Sequence, residues 1–229
     1  MKIVPAILAE NYDDFLLRLK QAESFADYVQ IDFMDGFFVP SKSFQADKIN
    51  SIRTPLSFEI HLMVKHPSAF MSRISNLYLK KVIFHFESDV KHLDFINQMK
   101  KRGIAAGIAI NPETELGEFQ DIAGHVNTLL FLTVDPGQYG SAFKPAVLRK
   151  IEEARQIFPD KIISVDGGVS LENLRLFFEL GVDYVCVGSR IFLADNPEEN
   201  YKLFKKRLTE LEIKGINSRG TKLFRNEKP

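Results

Sequence analysis

Short apolar runs rich in β-branched residues alternate along the chain with longer amphipathic segments. Such alternation is typical of repeated βα units. The apolar runs predict eight strands, at Ile3–Leu8, Tyr28–Phe33, Phe58–Met63, Val82–Phe86, Ala106–Ile110, Leu129–Val134, Ile162–Val165 and Tyr184–Gly188. The amphipathic segments predict helices at Asp13–Phe25, Ala46–Ile52, Pro67–Ile74, Val90–Lys101, Leu116–Ile122, Pro145–Ile157, Leu171–Leu180 and Pro197–Leu211. Their regular succession favours a closed (β/α)8 TIM barrel over an open, doubly wound sheet.

The pattern defines one domain and a short remainder. The periodicity continues to Glu212, so residues 1–212 are expected to form the barrel as a single α/β domain. Residues 213–229 are polar, basic and without periodicity, which predicts a mobile tail. Asn11, Ser170 and Asn196 are expected to begin helices, whereas Gly103 and Gly181 are expected to end them.

Composition limits the classes of binding partner and the cellular location that we expect. The 30 basic and 30 acidic residues cancel, so no global field attracts nucleic acid or an anionic membrane. The single cysteine, Cys186, excludes an internal disulfide and is expected to be a small buried hydrophobe. No apolar run is long enough to span a membrane, and Pro5 interrupts the apolar start of the chain. A cytoplasmic protein is therefore expected. Some of the 20 phenylalanines could mark a contact in a homo-oligomer.

Candidate chemistry collects where strands end, which is where the reacting groups of such barrels lie. Asp32, His61 and Asp166 come at the ends of the second, third and seventh strands. Alternation along the second strand points Gln30 and Asp32 into the barrel. Each residue alone could cap a loop or be a satisfied core group, but two buried carboxylates and an imidazole together are costly without a function. These residues therefore predict an active site.

Small residues follow the sixth, seventh and eighth strands, and they form a second cluster. Exposed backbone N–H groups in such segments can hold a phosphate, although turns alone also use glycine. The predicted phosphate contacts are Gly140, Ser141, Gly167, Gly168, Gly188 and Ser189, and Gly137 is a further predicted substrate contact.

Eight short motifs follow one another along the chain in a characteristic order. The segments are Pro5-Ala6-Ile7-Leu8, Asp32-x-Met34-Asp35-Gly36-x-Phe38-Val39-Pro40, His61-Leu62-Met63-Val64, Phe84-His85-x-Glu87, Asn111-Pro112-x-Thr114, Pro136-Gly137, Val165-Asp166-Gly167-Gly168-Val169 and Gly188-Ser189-x-Ile191-Phe192. Together they resemble the ribulose-phosphate 3-epimerase family over nearly all of the chain to about residue 212.

The resemblance implies a mechanism. The family holds a divalent metal, such as zinc, manganese, iron or magnesium, between two histidines and two aspartates, and here Asp32, His61 and Asp166 match three of these ligands. Asp32 and Asp166 would lie on opposite faces of the substrate, one taking the C3 proton and the other returning it. Met34 and Met63 would lie against the planar intermediate, or they could be ordinary core.

The chain departs from the family pattern at three places in the expected site. Gln30 replaces the first metal-ligating histidine, and an amide oxygen is a hard, weak ligand poorly suited to zinc. Ala6 replaces a serine expected to contact the substrate, and Tyr139 replaces a glycine in the phosphate-side loop. These changes imply weak metal binding, another metal, no metal, or an altered substrate.

Three functions compete. The leading one is epimerisation of a phosphorylated ketose, namely D-ribulose 5-phosphate to D-xylulose 5-phosphate or a related reaction. A non-catalytic phosphosugar-binding protein is the alternative. A third class of barrel enzyme fits less well, because a Schiff-base aldolase needs a lysine near the top of the barrel, whereas Lys81 and Lys161 begin their strands. An orotidine-phosphate decarboxylase would need a lysine two residues after Asp32, where Met34 stands.

Overall fold

The computed structural model describes residues 1–137 and 140–223, and eight parallel strands organise them. The strands are β1 (Lys2–Leu8), β2 (Tyr28–Met34), β3 (Ser57–Met63), β4 (Leu79–His85), β5 (Ala105–Ile110), β6 (Thr128–Leu132), β7 (Ile162–Asp166) and β8 (Tyr184–Val187). Each strand pairs with the next, and β8 pairs with β1 from Lys2↔Tyr184 to Pro5↔Val187. The sheet is therefore a closed barrel, which confirms the predicted fold and excludes the open sheet.

Helices surround the barrel: α1 (Tyr12–Ala22), a 3₁₀ helix (Ala46–Ser51), α2 (Pro67–Met71), α3 (His92–Lys101), α4 (Leu116–Ala123), α5 (Val147–Ile157), α6 (Leu174–Glu179), α7 (Ser189–Phe192) and α8 (Pro197–Leu223). Asn11 caps α1 by accepting from the Asp14 N–H at 2.9 Å, and Gly103 adopts the predicted left-handed conformation with φ of +71°. The sequence pattern missed α7, because a helix of four residues is too short to show a period.

Several predicted boundaries were wrong. The structure ends α1 at Ala22 instead of Phe25 and α2 at Met71 instead of Ile74, and it begins β4 at Leu79 instead of Val82. The sequence predicted that α6 begins at Leu171, but the turn after Ser170 delays its start to Leu174. It also predicted that the last helix ends at Leu211, but α8 continues to Leu223. The predicted mobility of residues 213–229 stays a prediction, and residues 224–229 lie outside the described part of the chain.

Side chains divide the core into an outer and an inner part. Val29, Ile31 and Phe33 of β2 are buried against the helices, whereas Gln30 and Asp32 are buried inside the barrel. The inner apolar cluster comes from the other strands and consists of Val4, Ala6, Ile83, Ala109, Leu130, Leu132 and Cys186. The alternation predicted for β2 and the burial of Cys186 are thus confirmed. The polar interior of β2, β3 and β7 faces this apolar wall.

A buried ion pair fills the amino-terminal end of the barrel. Lys81 Nζ lies 2.8 Å from Glu59 Oε2, and the Tyr28 hydroxyl donates to the same carboxylate at 2.9 Å. Lys161 donates to the carbonyl oxygen of Val126 at 2.6 Å. Neither lysine is available at the carboxyl ends of the strands, which agrees with the weak case for an aldolase.

None of the helices in the described part of the chain combines the length and apolarity needed to cross a membrane. The expected cytoplasmic location and the homo-oligomer stay predictions.

Candidate active site

Three titratable side chains meet at the carboxyl end of the barrel. Asp32 and His61 are register partners on β2 and β3, and Asp166 is the last residue of β7. His61 Nδ1 lies 3.1 Å from Asp32 Oδ1 and 3.4 Å from Asp166 Oδ2. The imidazole thus contacts both carboxylates, so the sequence correctly predicted that these three residues converge.

Gln30 completes the cluster with an amide that contacts both aspartates. Its Nε2 atom donates to Asp32 Oδ1 at 2.8 Å and to Asp166 Oδ2 at 2.6 Å. Ionised carboxylates only accept hydrogen bonds, which explains why the NH2 group faces them. The amide oxygen points the other way and accepts from the Cys186 thiol at 3.1 Å. Gln30 therefore bridges the two carboxylates.

Burial and mutual contact shift the pKa values of Asp32 and His61. Burial and the neighbouring Asp166 charge raise the pKa of Asp32 to about 6, although His61 and Gln30 oppose this change. Burial alone would lower the pKa of His61, but hydrogen bonds to Asp166 and Asp32 outweigh it and raise the pKa to about 9. Perturbed pKa values of this kind are frequent where groups take and return protons near neutral pH.

A second histidine, which sequence reasoning did not place in the site, contacts the first. His85, the last residue of β4, brings its Nε2 atom within 3.0 Å of His61 Nε2. Its Nδ1 atom lies 3.2 Å from Glu87 Oε2, and burial lowers the pKa of His85 to about 4. The sequence motif Phe84-His85-x-Glu87 contained the signal, because alternation along β4 points His85 and Ile83 into the barrel.

The side chains of the cluster include ligands for a divalent cation. One atom from each of Asp32, His61 and Asp166 lies within 4.8 Å of the others. Carboxylate oxygens and an imidazole nitrogen are ligands that zinc, manganese and iron accept, so these three residues could hold such an ion. Gln30 presents its amide NH2 group, which has no lone pair for a metal, and would have to turn over to offer its oxygen. Its prediction as a fourth ligand stays a prediction.

A cavity opens above the cluster, and the predicted small residues line it. Its walls are formed by Ala6, Leu8, Asp32, His61, Met63, Leu132, Val134, Pro136, Gly137, Gly140, Ser141, Asp166, Gly167, Gly168, Val169, Cys186, Val187, Gly188, Ser189 and Arg190. Met34 is not among them and instead packs beneath the mouth with Val39 and Met63. Arg190 was not predicted, but it adds a cation beside the glycine segments. Tyr139, the predicted bulky departure, lies outside the described residues.

Two of the lining glycines are required by their surroundings. Gly167 has φ of +95°, and a Cβ atom there would lie 2.2 Å from Val134 Cγ2. Gly137 has φ of +96°, and a Cβ atom there would lie 2.7 Å from Val39 Cβ. Both the left-handed conformation and the close approach exclude larger residues. The loops can therefore bring backbone close to a bound anion.

Fold and site together define a class: a (β/α)8 barrel with a two-aspartate, histidine centre at the carboxyl ends of its strands. Residues 2–192 match the model of the ribulose-phosphate 3 epimerase family. The chain therefore belongs to the ribulose-phosphate 3-epimerase family, as its motifs predicted.

Relatives of known name give the same assignment. The chain is 30% identical to the ribulose-phosphate 3-epimerase of Methanocaldococcus jannaschii over 224 residues, which cover 95% of this chain and 93% of that one. It is 28% identical to the Schizosaccharomyces pombe ribulose-phosphate 3-epimerase over 204 residues, or 86% and 90% of the two chains. Among solved structures, orotidine 5'-monophosphate decarboxylase from Sulfolobus solfataricus aligns with a TM-score of 0.66 at 13% identity, covering 91% and 98% of the two chains. This likeness concerns the fold alone.

Proposed function

We propose that the protein is an epimerase that interconverts D-ribulose 5-phosphate and D-xylulose 5-phosphate. The observation that carries the proposal is the position of Asp32 and Asp166 on β2 and β7, both at the cavity and both in contact with His61. Family membership and the names of the relatives support the same reaction.

Inversion at C3 needs two proton-transfer groups on opposite faces of the carbon. One aspartate removes the C3 proton, the electron pair moves into the C2–C3 bond, and the C2 oxygen becomes the oxyanion of an enediolate. The other aspartate then returns a proton to C3 from the far face. His61 contacts both carboxylates and holds them in a fixed relation to each other. A divalent cation held by Asp32, His61 and Asp166 would supply positive charge for the oxyanion.

The other end of the substrate would carry the phosphate. Gly140, Ser141, Gly167, Gly168, Gly188 and Ser189 line the cavity, and their backbone N–H groups are the donors that we propose for the phosphate. Anchoring the phosphate there would place the ketose carbons over the carboxylates, which lowers the entropic barrier to proton transfer. Met63 lies on the cavity wall, where an apolar contact with the flat enediolate is feasible.

One observation favours the second candidate, a phosphosugar-binding protein without turnover. Gln30 already occupies both carboxylates with hydrogen bonds, and Ala6 offers no hydroxyl to the cavity. Such a protein would keep the glycine segments but lose proton transfer.

The test is an assay of D-ribulose 5-phosphate conversion by metal-stripped protein, with zinc, manganese, iron or magnesium added back. We expect at least one metal to give turnover. The same assay on Asp166→Asn should show none, whereas the surface variant Asp160→Asn should match the parent. Folded protein that binds the phosphosugar but turns over with no metal would support the binding protein instead.

A further inference from the structure

We propose that Glu87 and His85 are positioning residues that fix the tautomer of neutral His61, with its hydrogen on Nε2, so that Nδ1, the nitrogen that faces Asp32 and Asp166, keeps the lone pair. The inference deepens the account of the same site, and it rests on the proposed function only for what it implies about turnover. It concerns the second side of the His61 ring, away from the carboxylates.

A relay of hydrogen bonds runs from Glu87 through His85 to His61. The two carboxylate oxygens of Glu87 have separate partners. Oε1 accepts from the Asn111 backbone N–H at 2.9 Å and from the Thr114 hydroxyl at 2.5 Å. Oε2 faces His85 Nδ1 at 3.2 Å. Because a carboxylate only accepts, the hydrogen of this contact is on His85 Nδ1.

The next contact fixes a second hydrogen. His85 is fully buried, and its Nε2 atom lies 3.0 Å from His61 Nε2, so one hydrogen is shared between the two nitrogens. A hydrogen on both nitrogens of His85 would place a charged ring in a fully buried pocket, which is costly. His85 Nε2 is therefore the acceptor, and His61 Nε2 donates.

The donor and acceptor roles along the relay decide which His61 nitrogen carries the hydrogen and which one can bind a cation. With its hydrogen on Nε2, His61 presents Nδ1 to Asp32 Oδ1 at 3.1 Å and to Asp166 Oδ2 at 3.4 Å. That nitrogen can then offer a lone pair to a cation or a second hydrogen to the carboxylates. Phe38 packs on the other side of His85, with ring centroids 4.6 Å apart, and helps to hold the orientation. Outer partners of this kind commonly set the tautomer of ligating histidines.

Glu87→Gln tests the relay because it replaces an acceptor oxygen by an NH2 donor without changing the size of the side chain. The donor and acceptor roles along the relay should therefore reverse. The amide oxygen of the new side chain stays with the Asn111 and Thr114 donors, so its NH2 group turns toward His85 Nδ1. His85 must then carry its hydrogen on Nε2, and His61 Nε2 becomes the acceptor. The matched control is Glu113→Gln, an exposed glutamate whose partner is Lys144.

Two readouts do not depend on turnover. Nitrogen-15 spectra of the histidine rings in metal-free protein, recorded above pH 9 where His61 is neutral, should show His85 with hydrogen on Nδ1 in the parent and in Glu113→Gln, and on Nε2 in Glu87→Gln. Zinc affinity, measured by competition with a chelating dye, should fall by about 10- to 100-fold in Glu87→Gln. His85→Phe should weaken zinc similarly, whereas His85→Gln, which keeps an acceptor oxygen, should recover part of the loss.

Hydrogen on His85 Nε2 in the parent protein would overturn the proposal, and so would an unchanged spectrum in Glu87→Gln. These spectra remain decisive whether or not the parent binds zinc or converts D-ribulose 5-phosphate. Failure of the epimerase assay is thus distinguishable from failure of the relay.

Discussion

Gln30 Nε2 lies 2.6 Å from Asp166 Oδ2, a contact between residues 136 positions apart in the chain. The same amide nitrogen contacts Asp32 at 2.8 Å, so a neutral side chain links the two groups proposed to move the proton. In other family members a histidine stands here as a metal ligand, as the resemblance implies. The bridge therefore stands where the family pattern has a metal ligand.

Replacing the bridge by the residue of the family pattern should increase metal affinity. Gln30→His removes an NH2 donor and supplies an imidazole nitrogen beside Asp32, His61 and Asp166, which zinc prefers to an amide. We expect zinc to bind at least about 10-fold more tightly than in the parent, measured by calorimetric titration. Gln30→Leu, which supplies no ligand, is the control and should gain nothing. Equal zinc affinity of the parent and Gln30→His would contradict this account of the site.

The pH dependence of stability should report the charge on His61. Its folded-state pKa is raised from 6.5 to about 9, so the stabilisation is fully present below pH 6.5 and is lost as the pH rises through 9. The free energy of unfolding in the presence of a chelator should fall by about 3 kcal/mol over this range. Asp32, with a pKa raised from 3.8 to about 6, acts at lower pH and should not interfere. His61→Gln should remove the decline, and an equal decline in that variant would rule out His61 as its source.

Gly167→Ala should destabilise the protein more than a glycine replacement in open space. Gly167 combines φ of +95° with a Cβ position 2.2 Å from Val134, whereas Gly103 has φ of +71° and no neighbour within 4 Å of its Cβ position. Urea unfolding should show a loss of roughly 1 kcal/mol for Gly103→Ala and at least about 2 kcal/mol for Gly167→Ala. Similar losses in the two variants would mean that the Val134 contact relaxes.

The ion pair at the amino-terminal end of the barrel should matter for stability and not for chemistry. Lys81→Met leaves the fully buried Glu59 without its cation, and Glu59 Oε1 has no hydrogen-bond partner among the described residues. We expect a loss of about 3 to 5 kcal/mol in unfolding free energy. The double variant with Glu59→Leu should recover most of it. A loss as large in the double variant would show that packing, not the unpaired charge, is responsible.

The sequence predicted the parts of this protein that follow from a repeating pattern. Eight short apolar runs that alternate with amphipathic segments give the barrel, and their ends place Asp32, His61 and Asp166 at one end of it. The orientation of the Gln30 amide could not be predicted, because it depends on Asp166 and Cys186, partners 136 and 156 positions away. The His61–His85 contact could not be predicted for a similar reason. Alternation places both residues inside the barrel, but the 3.0 Å distance between them depends on the register of β3 and β4. The helix predicted at Ala46–Ile52 is a 3₁₀ helix, since six residues carry too little pattern to separate the two forms.

The most direct test of the central claim is deuterium incorporation at C3 of D-ribulose 5-phosphate in heavy water. Two carboxylates on opposite faces predict that the metal-supplemented parent forms D-xylulose 5-phosphate with deuterium at C3. Asp32→Asn and Asp166→Asn should each stop inversion, by at least about 1000-fold. One of the two variants should still exchange the C3 proton of D-ribulose 5-phosphate without inverting it, and the other should exchange only that of D-xylulose 5-phosphate. Inversion at the parental rate in either variant would contradict the two-carboxylate account.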